Sequence, residues 1–169
     1  FGGTWYGAAA TDSTNNHLVL LTVPVNENME YPQFNIIVSD PATGPVKTIN
    51  ITGANYTYSS YICVSSDGAF VYGVTEAEEP LLWKVPLDGS TSYDLDSSES
   101  CVSSILYEED SADVFGYVTG LAINTDGRLF VSTLAGYIFE IDPDTLEIID
   151  SSGQIFNNSD VNNYLDCME

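Results

Sequence analysis

Basic residues are nearly missing from this chain of 169 residues: Lys47, Lys84 and Arg128 stand against 25 acidic side chains, for a net charge near −22. That balance excludes nucleic-acid binding, which needs clustered Lys and Arg to neutralise phosphate. It also works against anionic membrane surfaces. It favours solubility, cations and basic partners. Histidine is represented once, at His17. A nucleophile–histidine–acid site has no second base to draw on, and His17 lies between an Asn-rich turn and an apolar run, where a turn or surface role is expected. Zinc coordination needs more Cys and His than the chain holds. No apolar run approaches the ~20 residues of a membrane-spanning helix, and the longest, Leu18 to Val25, is interrupted by Thr22 and Pro24. No membrane insertion is expected. Helical periodicity is also absent, so helix content should be low.

What remains is a chain with 44% apolar residues, normal for one domain with a real core. It starts at Phe1 with no leader-like segment, which predicts a processed mature protein or a piece of a longer one. Asn50-Ile51-Thr52, Asn55-Tyr56-Thr57 and Asn157-Asn158-Ser159 have the form of N-glycosylation acceptors. With abundant Ser, Thr and Asn, they place the chain outside the cell, at a surface or secreted, with covalent glycans. Three cysteines, Cys63, Cys101 and Cys167, allow one disulfide with one thiol left over. A Cys63–Cys101 bridge would close a 38-residue separation and contribute roughly 4 kcal/mol. Cys101–Cys167 is the rival, clamping the tail, and buried free thiols are the third reading.

A pattern recurs three times. Thr11-Asp12-Ser13, Ser66-Asp67-Gly68 and Thr125-Asp126-Gly127 are turns 55 and 59 residues apart. Each precedes an apolar strand, a further strand and a second turn at Asp40 to Gly44, Asp88-Gly89 or Asp142 to Thr145. Repeats of this length built from short strands read as propeller blades. The expected fold is all-β: a single module of three propeller-like four-stranded antiparallel blades over about 4–52, 58–96 and 116–152, with a polar tail at 153–169. In the second blade Leu81 to Val85 is the third strand, and Ser92 to Leu95 the short outer one. Ser97 to Asp113 separates it from the third blade, whose last strand is Leu146 to Ile149. The aspartates need no function, because an Asp side chain accepts backbone amides two and three residues on and fixes a turn. Trp5 and Trp83 are expected in the core or between blades.

The phrase Asp40-Pro41-Ala42-Thr43-Gly44, and Asp142-Pro143-Asp144-Thr145 without its final glycine, resembles the hairpins of quinoprotein-like and lactonase-like propeller repeats. The resemblance extends over about 140 residues. It implies a propeller fold, in families that include secreted sugar and lactone enzymes and plain binding scaffolds.

No catalytic residue stands out, and no pair among the acidic side chains is marked for glycoside hydrolysis. No cofactor or metal is expected, the acidic clusters reading as turns and solvated loops, with calcium the alternative. Asp142, Asp144 and Glu147 form one acidic cluster and Glu108, Glu109, Asp110 and Asp113 another, neither with EF-hand spacing. Three blades are fewer than the four to eight that close a ring. The expected function is that of an acidic extracellular structural or adhesive glycoprotein that self-assembles, into a ring or a filament, or is completed by further blades of a longer chain. A fragment of a secreted propeller hydrolase or lactonase, and a protein- or carbohydrate-binding module, are the alternatives.

Overall fold

The computed structural model describes residues 4–24, 34–53, 59–75, 81–95, 97, 102–105, 118–133 and 136–154. These residues form strands and turns with no helix. The all-β expectation is met by three sheets following one another along the chain.

The first sheet contains β1 (Thr4–Asp12), β2 (His17–Pro24), β3 (Phe34–Asp40) and β4 (Gly44–Thr52), an antiparallel meander. The second is β5 (Ser59–Val64), β6 (Phe70–Thr75) and β7 (Leu81–Pro86), joined at its edge by β9 (Val102–Ile105). The third is β10 (Val118–Ile123), β11 (Leu129–Thr133), β12 (Tyr137–Ile141) and β13 (Ile148–Gln154).

The second blade corrects the sequence reading. The segment at Ser92 does not close the sheet it follows. As β8 (Ser92–Asp94) it crosses to the first sheet and pairs parallel with β4, Asn50 opposite Ser92 and Thr52 opposite Asp94. Period-two alternation explains the choice, because Tyr93 and Leu95 both enter the core between the first two sheets. The fourth strand of the second sheet is instead β9, antiparallel to β7 with Trp83 opposite Ser103. It comes from the stretch assigned to a separator, so the second blade reaches past residue 96 to Ile105.

The middle sheet is apolar on both faces because it has a neighbour on each. Ile62, Val64, Val71, Leu81, Trp83 and Val85 pack towards the first sheet, against Val19, Leu21, Phe34, Ile36, Ile49 and Ile51. The alternate positions Cys63, Tyr72, Val74 and Leu82 pack towards the third, against Leu129, Val131, Phe139 and Ile141. This accounts for the unbroken burial of Leu81 to Val85, with no side chain left to face water.

Two of the three cations fasten sheet to sheet. Lys47 Nζ donates to the Leu87 carbonyl at 2.9 Å, joining the first sheet to the second. Lys84 is buried, its Nζ 3.1 Å from Asp144 Oδ1 on the third sheet and 4.1 Å from the centre of the Phe70 ring. Tyr72 Oη donates to the Pro143 carbonyl at the same hairpin.

The last turn departs from expectation in an informative way. Leu146 is not the start of a strand but the residue that closes the Asp142 turn, with φ of 62°. Gly44 holds the equivalent place at φ 89° in the Asp40 turn. A leucine in the left-handed region is unusual, and here its side chain is fully buried in the core between the second and third sheets.

Candidate functional site

The first strands of the three sheets, β1, β5 and β10, lie side by side. Each ends in one of the Asp-bearing hairpins, and the hairpins dock on one another. Asp12 Oδ1 accepts the amides of Thr14 and Asn15 at 3.1 and 3.0 Å, and Oδ2 accepts from Asn15 Nδ2 at 2.8 Å. His17, the first residue of β2, is partly exposed with Nδ1 3.7 Å from the same carboxylate. The Thr14 hydroxyl donates to the Ser66 carbonyl, joining the first hairpin to the second. Gly68, at φ 72°, makes room: a Cβ there would stand 2.6 Å from Asp12 Oδ1. In the second hairpin Asp67 Oδ1 accepts from Ser65 Oγ and the Ala69 amide, which hold its carboxyl below the usual range. In the third, Asn124 Oδ1 accepts the amides of Asp126 and Arg128.

Asp12 is 2% exposed and satisfied from within its hairpin, so its removal takes away the acceptor that holds the Thr14 and Asn15 amides in the turn. Asp12→Ala is expected to cost about 2 kcal/mol. Asp12→Asn, which keeps the acceptor for both amides, should cost about half as much. Urea unfolding of the two variants checks the order, and equal losses would show that the hairpin is held by other contacts.

Between the hairpins a cleft of about 570 Å³ opens. Its floor is small and apolar, with Ala9, Ala10, Ile62, Val64, Ala122 and Ile123. Its walls carry Thr11, Ser13, Ser66, Asn124 and Thr125, drawn from all three hairpins. Cys63, also on the floor, is the one titratable side chain among the described residues of this lining, and burial pushes its thiol up to about 12. The lining therefore offers hydrogen bonds and apolar contact, with neither a poised base nor a ready nucleophile.

The residues singled out from the sequence do not gather here. Cys63 is a free buried thiol. Cys101 and Cys167 lie outside the described residues, as do Asn55, Asn157 and the acidic group at Glu108 to Asp113. Asn50 sits in β4 between β3 and β8, half-buried, with its Oδ1 buried and unpartnered among the described residues. The acidic cluster at the Asp142 turn is already employed. Asp142 Oδ1 accepts the amides of Thr145 and Asp144, which lower its pKa, and Asp144 pairs with Lys84. Among the described residues no group of three His, Cys, Asp or Glu is placed to hold a metal ion. Trp83 is fully buried as expected, tilted on Phe34 with ring centres 5.4 Å apart. The cleft itself was not legible, because Ser and Thr at a turn carry no mark of binding until the sheets bring three turns together.

No family model and no curated protein matches the chain. Among solved structures it is similar to a luciferin-regenerating enzyme, a β-propeller, with a TM-score of 0.52 and 15% identity. The likeness covers 88% of this chain and 46% of that one. It shows the fold. The chain has propeller-like architecture and spans less than half the length of the propeller it matches.

Proposed function

We propose that this chain is an extracellular, acidic structural module that works by assembly, its end sheets covered by further blade-like sheets. The second copy of the chain is the partner that fits the numbers: two spans of 46% account for nearly one whole propeller of the matched kind. Symmetric pairing of like chains is the commonest route to a closed assembly.

The outer faces of the end sheets support this reading. On the first sheet Leu18, Leu20, Ile37 and Thr48 point away from the core, and no charged side chain stands among these four. Leu18 is exposed, and Leu20 and Ile37 are half-buried. On the third sheet Phe130 and Ile138 point outward beside the Arg128–Glu140 ion pair, in which Arg128 Nε donates to Glu140 Oε1 at 2.7 Å. Apolar surface gathered on a sheet face marks an interaction site. Glycans on Asn55 and Asn157 would keep the remainder hydrated. Asn50, half-buried in a doubly paired strand, leaves a glycan less room.

Native mass spectrometry before and after deglycosylation tests the proposal. The expected result is a multiple of the 18.3 kDa chain mass, with glycan mass removed by the enzyme. Association should tighten as salt rises, because each copy carries about −22 and screening weakens their repulsion. A bare 18.3 kDa monomer at all salt concentrations overturns it. That result would favour the second reading, a portion of a propeller enzyme whose other sheets lie on the same polypeptide. What supports the second reading is that the matched propeller is itself named as an enzyme.

A further inference from the structure

We propose that the cleft between the three hairpins binds an uncharged, hydroxyl-rich ligand, a neutral saccharide. In a chain of net charge −22, the described residues of this lining carry no charged side chain. Two of the nearby carboxylates are engaged, Asp12 within its own turn and Asp67 Oδ1 with the lining residue Ser65 and the Ala69 amide.

The polar groups left in the lining are neutral and come from every hairpin. Thr11, Ser13, Ser66 and Thr125 have hydroxyls that bond to no other described residue, and each can both donate and accept. Asn124 has its oxygen committed to the Asp126 and Arg128 amides, which leaves its Nδ2 as the group able to donate to a ligand. Below them the floor of Ala9, Ala10 and Ile123 offers C–H surface. A sugar presents the same mixture, hydroxyls around its rim and apolar C–H faces. The volume of about 570 Å³ lies within the range of small-ligand sites. An anionic ligand would find no cation in the lining and a repulsive field outside it. A cationic ligand would find no carboxylate there to pair with.

The test is titration of the ¹⁵N-labelled protein with D-glucose, maltose and cellobiose, with D-glucuronate as the anionic control. A neutral sugar is expected to shift the amides of Thr11, Ser66 and Thr125 in the millimolar range. Glucuronate should bind roughly tenfold more weakly. Ser66→Ala and Thr125→Val each remove one hydrogen bond and should weaken binding roughly fivefold. Ala9→Trp, at an exposed position of β1, should fill the cleft and abolish it. Shifts unchanged elsewhere in each spectrum show that the variants are folded. Silence from all three sugars, equal binding of glucuronate, or undiminished binding by the folded variants overturns the inference. The outcome is independent of assembly: a monomer that binds sugar leaves this site standing and removes only the self-assembly reading.

Discussion

Gly73→Ala should destabilise the protein by about 3 kcal/mol or more, although it adds one methyl group to the middle of a strand. Gly73 lies in β6 directly opposite Trp83 of β7, and the indole folds across it. A Cβ at this position would stand 2.0 Å from Trp83 Cζ2, well inside contact distance. The indole has nowhere to retreat. It is fully buried, tilted against Phe34, and set among the residues that join the first two sheets. The missing side chain is thus a recess filled by a neighbour's ring. Thermal unfolding should show a Tm lower by about 10 °C.

The cause can be isolated with a double-mutant cycle. Trp83→Leu alone opens a cavity and costs about 3 kcal/mol. In that background the Gly73→Ala methyl has space, so its penalty should largely vanish, a coupling of about 3 kcal/mol. If Gly73→Ala is equally costly with and without the indole, the penalty belongs to the backbone and not to this contact.

Much of the fold was legible because the signals were local. The Asp turns announced themselves by residue type, and the glycines that follow Asp67 and Asp126 take positive φ. The run Leu81 to Val85 is the third strand of its sheet, as read, and is covered on both sides. What misled was the choice between two weak strands of similar character, Ser92–Asp94 and Val102–Ile105. Order along the chain favoured the first as the edge of its own sheet. The structure gave it to the previous sheet, because Tyr93 and Leu95 fill the core shared by both. No periodicity within four residues can report that, since the information lies in the shape of a gap built by distant strands. The same limit hid the Gly73 recess and the cleft. Glycine in a strand signals close approach without naming what approaches. In the Asp142 group, which offered a weak cation site, Asp142 is engaged by its turn and Asp144 by Lys84.

At Leu146 the ordinary ranking of substitutions should invert. Leu146→Ala is expected to cost about 3 kcal/mol, as a fully buried leucine leaves a cavity between the second and third sheets. Leu146→Gly removes slightly more side chain and should nevertheless be the more stable variant, by about 1 kcal/mol. The reason is the backbone. The turn requires φ near 62° here, with the Leu146 amide donating to the Asp142 carbonyl at 2.8 Å. Left-handed φ costs roughly 1 kcal/mol or more for any residue with a Cβ and little for glycine. Alanine keeps that cost and loses the burial, whereas glycine loses the burial and sheds the cost. The native leucine tolerates the strain because burying its side chain is worth about 2 to 3 kcal/mol. The Asp40 turn, whose closing position faces no such core, uses Gly44 for the same φ. Urea midpoints for Leu146→Ala and Leu146→Gly settle the order. An alanine variant as stable as the glycine variant would mean that the turn relaxes once the side chain is gone, and that the core, not the hairpin, imposes the left-handed conformation.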